Sequence, residues 1–179
     1  MTGWLRLAHG VDRLNEWIGK FAVWAAFISC VVSAGNATIR YLFHSSSNGW
    51  LEVQWYLFSV TVLLGAAVVL KVNEHVRVDV LYGRYSSRVK AWVDLLGLIF
   101  FLMPACVLLV WMSWPWFVDA YQTGEMSNNA GGLIRWPVKL LIPLGFGLLG
   151  LQGIAEIIKR IAYLYGGYAM DTHYERPLQ

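Results

Sequence analysis

The chain has 179 residues, of which 58% are hydrophobic and 14% are charged, whereas soluble domains have about 25% charged residues. This composition excludes an ordinary soluble domain. The formal net charge is only +3, and the positive residues are spread over several segments instead of forming the stripe of a nucleic-acid-binding protein.

Four stretches, residues 21–39, 53–70, 95–118 and 140–155, contain no Asp, Glu, Lys, Arg or His. At about 1.5 Å per residue they form helices of about 24–36 Å, which match a hydrocarbon core of about 30 Å. We predict an all-α integral membrane protein with four transmembrane helices, at about residues 21–40, 51–71, 91–118 and 138–163. Cys30 and Cys106 lie inside these spans without a CxxC pair, so we interpret them as small apolar residues.

Lys and Arg alternate between the segments that flank the spans. Eleven lie before the first span, between the second and third, or after the fourth, and three lie in the other two gaps. By the positive-inside rule, this bias predicts that both termini and the middle gap are cytoplasmic. The first and third gaps then face outward.

Residues 1–20 alternate between apolar and charged positions. Trp4, Leu7, Val11, Leu14 and Ile18 recur at steps of three and four residues. This spacing predicts an N-terminal amphipathic helix in the cytoplasmic interface. A plain helical extension of the first span is the alternative.

Small residues recur in the first and last spans at positions that suit close helix packing. These residues are Ala22, Ala26, Ala25, Ser29, Ser33, Gly147, Gly150 and Gly153. Small residues let neighbouring helices approach closely in a membrane. They are also common in spans, so their presence alone does not require a partner.

The middle gap and the third span contain a polar turn and two prolines. His75, Arg77 and Asp79 are predicted to form a structural cytoplasmic turn, with helix from about residue 80. Pro104 is predicted to kink the third span, and Pro115 to distort its outer end.

Aromatic and turn residues mark the outer end of the third span. Trp111, Trp114, Trp116 and Tyr121 form the aromatic belt expected at a membrane interface. Residues 119–138 are rich in Gly and Asn and predict an outward loop. Pro137 suits the first turn of the fourth span, and residues 166–179 form a polar cytoplasmic tail.

Polar residues flank the first outward gap. Asn36 and Arg40 lie at the outer end of the first span, and Glu52 and Gln54 open the second. Ionisable groups at a membrane edge can mark a function. Snorkelling and one interfacial ion pair explain these four residues equally well.

No catalytic, cofactor-binding or metal-binding residue is predicted. All four His lie outside the spans, and no HExxH, GxSxG or Walker motif occurs. Glu156 is spaced to pair with Lys159 and Arg160 along the last helix, and we assign this set no further role. The chain is therefore not expected to be an enzyme.

Several segments, in order and spacing, resemble a known family. They are Asn36-Ala-Thr-Ile-Arg40-Tyr41, Glu52-Val-Gln54-Trp55-Tyr56-Leu57-Phe58, Gly65-Ala66, His75-Val-Arg77-Val-Asp79-Val, and the run from Trp136-Pro137-Val-Lys139 to Pro143-Leu-Gly-Phe. Over roughly residues 15 to 162 the chain resembles the small, DctQ-like membrane subunit of tripartite ATP-independent periplasmic (TRAP) transporters.

The resemblance implies a function and partners. The chain would be the small permease subunit of a sodium-coupled uptake system for organic acids in the bacterial inner membrane. Its partners would be a large multi-span transport subunit, which carries sodium and substrate, and a periplasmic substrate-binding protein. No cofactor is expected in this chain.

On this resemblance the chain acts as a scaffold. Asn36, Arg40, Glu52 and Gln54 then fall on the side that would meet the binding protein, and the small-residue faces would pack against the large subunit. Two alternatives are a self-contained small oligomeric transporter with Glu52 as its coupling carboxylate, and a membrane assembly or structural protein.

Overall fold

The computed structural model describes residues 2–45, 47–73, 85–166 and 168. In order, its helices are α1 (Thr2–Phe43), α2 (Asn48–Val72), α3 (Ser87–Gly97), a π-helical turn (Leu98–Leu102), α4 (Met103–Thr123) and α5 (Trp136–Leu164). Four segments, Gly3–Phe43, Asn48–Val72, Ser87–Thr123 and Trp136–Leu164, are long and apolar enough to cross a membrane. The predicted all-α fold with four spans is confirmed for these residues. The predicted turn at His75, Arg77 and Asp79 lies outside them.

Helix α1 is continuous for 42 residues, about 63 Å at 1.5 Å per residue. Residues 2–20 are therefore continuous with the first span in one helix, and this continuity is compatible with both interpretations of the segment. Trp4 and Trp17 are 65% and 72% exposed, whereas Asp12 and Asn15 on the opposite side are buried. The face of this segment that packs on the bundle combines small residues, Ala8 and Gly19, with Asp12 and Asn15, and its location in the interface stays a prediction.

Helix α5 is central, because it contacts α1, α2, α3 and α4, while α1 also packs along α2. The buried core between α1, α2 and α5 is small and consists of Ala22, Leu64, Ala67 and Leu148. Most large apolar side chains lie on the outside of the bundle. In water such a surface would be unfavourable, but it matches lipid tails or the apolar helices of another membrane subunit.

The third span departs from α-helical pairing next to its first proline. The amide of Met103 donates to the carbonyl of Leu98, five residues earlier, and Pro104 follows directly. A proline lacks an amide hydrogen, and π-helical turns are a recognised cause of helix kinks. Pro115 lies inside α4 without ending it.

The two ends of the bundle carry different structures. We call the end with Thr2 and Leu164 the terminal end, and the end with residues 124–135 the loop end. Residues 124–135 connect α4 to α5, and Trp136-Pro137 begins α5 as predicted.

Gly145 of α5 lies where α5 and α2 approach each other closely. A Cβ atom at this position would lie 2.8 Å from the carbonyl oxygen of Leu63 in α2, whereas a Cβ at Gly147 would meet nothing within 4 Å. Backbone cannot move aside as a flexible side chain does. Gly145 therefore sets the spacing of α2 and α5.

We expect Gly145→Ala to destabilise the chain and the matched variant Gly147→Ala to leave its stability equal or higher. Overpacking costs about 1–3 kcal/mol, which exceeds the gain of up to about 1 kcal/mol from replacing a helical glycine. Thermal unfolding in detergent measures the difference. Equal melting temperatures for the two variants would contradict the close contact.

Candidate functional site

Glu52 at the start of α2 is the centre of a hydrogen-bond network at the loop end. Its side chain is buried, with the residue only 3% exposed. The carboxylate accepts hydrogen bonds from the Ser127 hydroxyl, from Asn129 Nδ2 at 2.8 Å and from the Leu133 amide at 2.6 Å. One helix-borne carboxylate thereby fixes three points of the loop between α4 and α5.

The loop has its own internal order. Met126 and Ile134 form an isolated antiparallel bridge, the Ser127 amide donates to the Leu133 carbonyl at 2.9 Å, and the Arg135 amide donates to the Glu125 carbonyl at 2.8 Å. The Tyr56 hydroxyl of α2 donates to the Ile134 carbonyl at 2.8 Å. The loop is thus a folded cover on α2.

Gly132 is required by this geometry. A Cβ atom there would lie 2.5 Å from Cβ of Ser127 and 2.9 Å from the carbonyl oxygen of Asn129. A larger residue would push apart the two segments of the loop, around Ser127 and around Leu133, that both bind Glu52. The glycine content that predicted a loop therefore has a specific packing reason at this position.

Charged residues connect the loop to the start of α5. Glu125 forms ion pairs with Lys139 and, at 3.4 Å, with Arg135. The Lys139 ammonium also lies 4.2 Å from the centre of the Trp116 ring, a cation–π contact. The hydrogen bond from Lys139 holds the pKa of the Glu125 carboxyl below its ordinary value of 4.5.

The lowered pKa of Glu125 predicts a pH-dependent loop. Its ionised form stabilises the folded state at pH values above the ordinary pKa, and this contribution is lost as the pH falls through the lower folded pKa. We expect wild type to unfold at a higher temperature than Glu125→Gln at about pH 6, and the difference to shrink as the pH is lowered below the ordinary pKa of 4.5. A difference in melting temperature that stays constant over this range would contradict the ion pair.

The structure does not unite the four residues predicted at the outer edge. Among the described residues, Glu52 accepts its hydrogen bonds from neutral donors of the loop between α4 and α5, an arrangement that differs from snorkelling or ion pairing, and its part in docking stays a prediction. Arg40 is exposed and Asn36 is half-buried on α1. The backbone carbonyl of Gln54 accepts a hydrogen bond from the Ser29 hydroxyl at 3.3 Å.

A second polar cluster lies buried at the terminal end, and only the pairing of Glu156 with Lys159 and Arg160 was predicted from the sequence. The terminal-end cluster consists of Asp12 and Asn15 of α1, Asp94 of α3, and Gln152, Glu156, Lys159 and Arg160 of α5. Gln152 is fully buried and Arg160 is 2% exposed. Charged groups at this depth are stable only when paired.

The terminal-end cluster fastens α1 to α5. The Gln152 amide nitrogen donates to Asp12 at 2.8 Å, its oxygen accepts from Asn15 at 2.8 Å, and Lys159 pairs with Asp12 at 3.0 Å. At a separate point on the bundle, Glu16 pairs with Lys71 of α2. Residues 2–20 are therefore held to the bundle by specific polar contacts.

The same cluster fastens α3 to α5. Arg160 pairs with Glu156 one turn earlier and with Asp94 of α3 at 3.3 Å. Lys159 also pairs with Glu156. The predicted pairing of Glu156 with Lys159 and Arg160 is present, but it lies in the interior and joins three helices, so the view that the set has no further role needs correction.

Several of the predicted small-residue positions are occupied by the chain's own helices. Ala22 and Ala25 are buried, a Cβ atom at Gly150 would lie 3.5 Å from Cβ of Cys106, and a Cβ atom at Gly153 would lie 3.0 Å from Cδ2 of Leu102. In contrast, Ser33 is exposed, Ala26 and Ser29 are half-buried, and Gly147 has open space. Of the small residues predicted to face a partner subunit, only Ala26, Ser29, Ser33 and Gly147 are therefore accessible to one.

Gly147 lies in an apolar groove between α4 and α5. The groove encloses about 580 Å³ and is lined on the α4 side by Val107, Trp111 and Trp114 and on the α5 side by Phe146 and Gly147. Among the described residues, no group of three or more His, Cys, Asp or Glu is placed to hold a metal ion. The Glu52 network joins α2 to the loop, and the terminal-end cluster joins α1 and α3 to α5. This geometry suits a rigid framework.

Four apolar helices, joined by buried polar contacts between α1, α3 and α5 at the terminal end and between α2 and the loop at the loop end, define a multi-pass integral membrane protein. Residues 28–162 match the family of tripartite ATP-independent periplasmic transporters, DctQ component. Because this match covers more than half of the sequence, the chain belongs to that family and is the small membrane component of a TRAP transporter of the inner membrane. Members of this family are transporter components, and the family is not an enzyme family. No curated protein and no solved structure matches the chain.

Proposed function

We propose that the chain is the fixed scaffold of a sodium-coupled transporter for organic acids. In this role it holds a large transport subunit in the membrane and helps a periplasmic binding protein to dock. Family membership supports the partnership with a large subunit and a binding protein. The observation that carries the scaffold role is that buried polar contacts join α1 and α3 to α5 at the terminal end and join α2 to the loop between α4 and α5 at the loop end.

The orientation follows from the distribution of charge. Eleven of the 14 Lys and Arg residues precede the first span, lie between the second and third, or follow the fourth, so the positive-inside rule supports a cytoplasmic location for the terminal end. The loop end then faces the periplasm, where the ordered loop and Arg40 offer a surface to the binding protein. Since Glu52 is buried beneath the loop, its part in docking is to hold the loop in shape.

The apolar groove between α4 and α5 supplies a surface for the large subunit. Its floor includes Gly147, whose missing side chain leaves room for a helix of the partner. Small residues promote such close approach in membranes. Sodium ligands belong, in this proposal, to the large subunit, where the substrate is also bound.

Reconstitution tests whether uptake requires both this chain and the large subunit. Proteoliposomes are prepared with the large subunit alone, with this chain alone, and with both, and binding protein and a sodium gradient are supplied to each. The proposal expects uptake only where both subunits are present. Sodium-dependent uptake by this chain alone would overturn it in favour of a self-contained transporter.

Arg40 tests docking at the loop end. We expect Arg40→Glu to raise the concentration of binding protein needed for half-maximal uptake by about two- to fivefold, since an exposed charge pair contributes about 0.2–1 kcal/mol. The matched control is Arg88→Glu, an exposed charge reversal on α3 near the terminal end. Equal uptake curves for the two variants would remove Arg40 from the docking surface.

A further inference from the structure

A pocket of about 300 Å³ lies at the loop end between α2, α4 and the start of α5. Aromatic rings form one part of its wall and charged groups the other. The rings belong to Trp55, Tyr56 and Trp116, and the charged groups belong to Glu52, Arg135 and Lys139. A volume of this size lies at the lower end of the range for small-molecule sites.

The pocket reaches to the depth of the membrane interface. At 1.5 Å per residue, Ser59 in its wall lies about 16 Å from the start of α2 at Asn48, and Trp116 lies about 10 Å from the end of α4 at Thr123. Trp55 and Trp116 are 60% and 49% exposed. Half-exposed Trp side chains at this depth are typical of the boundary between headgroups and hydrocarbon.

The charged part of the wall has both signs, because it contains the Glu52 carboxylate as well as Arg135 and Lys139, and its group with unused donors is Arg135. The Arg135 side chain is 39% exposed and makes one hydrogen bond to Glu125, at 3.4 Å. A guanidinium carries five N–H donors in a planar fork that fits a phosphate group. The Lys139 side chain is only 6% exposed and is ion-paired with Glu125, so Arg135 is the cation that a phosphate can reach.

Apolar surface continues from the pocket along α2. Trp55 and Val62 are seven residues apart, so they lie on one stripe of the helix, and Val62 is 52% exposed. An acyl chain can follow this stripe toward the middle of the membrane while a headgroup occupies the pocket. The combination of an anion site, aromatic rings at the interface and an apolar stripe matches a phospholipid in each of its parts.

We propose that this pocket binds the phosphodiester headgroup of a phospholipid from the leaflet at the loop end. Arg135 contacts the phosphate, and Trp55 and Trp116 contact the glycerol region. An acidic side chain of a soluble partner fits less well, because the wall extends one or more turns inside the spans. The inference goes beyond the scaffold role and is independent of transport.

The test uses the chain purified together with its large subunit. Native mass spectrometry counts lipids that remain bound from mixed micelles containing phosphatidylglycerol, phosphatidylethanolamine or diacylglycerol, which has no phosphate. We expect one tightly held phospholipid for wild type and an affinity about tenfold lower for Arg135→Gln, a loss typical of one charge-assisted hydrogen bond. The matched control is Arg40→Gln, which removes the same charge at the same end outside the pocket.

The other outcomes overturn the proposal in distinct ways. Equal lipid retention by Arg135→Gln and Arg40→Gln would remove the pocket as the site, and equal retention of diacylglycerol would show that phosphate is not recognised. Release of the lipid by millimolar inorganic phosphate would assign the site to free phosphate. If Arg135→Gln keeps its lipid but raises the requirement for binding protein, the pocket recognises an acidic partner instead. Failure of uptake in the reconstitution leaves all these readouts unaffected.

Discussion

Arg160→Met is expected to destabilise the helix bundle by about 3–5 kcal/mol, which is the usual effect of removing one partner from a buried ion pair. Arg160 is 2% exposed and bridges Glu156 of its own helix and Asp94 of α3 through different nitrogens. Met fills a similar volume, so the loss comes mainly from the uncompensated carboxylates. Unfolding in detergent, followed by heat or by titration with a denaturing detergent, measures the change.

Two further variants make the Arg160 result specific. Arg88→Met removes an exposed arginine of α3 and is expected to change stability by less than about 0.5 kcal/mol, as surface substitutions usually do. The double variant Glu156→Leu with Arg160→Met removes both charges and should recover part of the loss, because coupled residues are not additive. If Arg160→Met alone is as stable as wild type, the buried network does not hold the bundle.

The helices could be predicted from the sequence because their signal is local. A run of apolar residues long enough for the bilayer identifies a span without knowledge of its neighbours. Pro104 likewise predicts an irregularity in the third span. Its particular form, a π-helical turn at Leu98–Leu102, depends on which amides the carbonyls of the preceding turn accept hydrogen bonds from. The continuity of α1 could not be predicted in this way, because an interfacial helix and an extension of a span show the same apolar periodicity.

The polar clusters could not be predicted because their partners are distant in the sequence. Asp12 and Gln152 are separated by 140 residues, and Glu52 and Leu133 by 81. The sequence did contain a partial signal: Gln152, Glu156 and Lys159 recur at helical spacing, as do Asp12 and Asn15. Such spacing shows which residues share a helix face, but only packing decides whether that face meets lipid, water or another helix.

Glu52→Ala is expected to release the loop at the loop end, because it removes the carboxylate that accepts three hydrogen bonds from Ser127, Asn129 and Leu133. Hydrogen bonds to a charged group contribute about 1.5–3 kcal/mol, and the Leu133 amide is left without its acceptor. A local opening easier by about 2–3 kcal/mol increases the exposed fraction about 30- to 150-fold.

Limited proteolysis with trypsin detects this opening directly, since Arg135 lies at the end of the loop. We expect cleavage after Arg135 to accelerate by about the same 30- to 150-fold in Glu52→Ala, because the rate follows the population of the open loop. The matched control is Gln54→Ala, which truncates a half-buried side chain two residues further along α2. Equal cleavage rates in the two variants would show that the loop is held by other contacts. If the loop is also the docking surface for the binding protein, Glu52→Ala should raise the binding-protein requirement for uptake while leaving co-purification with the large subunit intact.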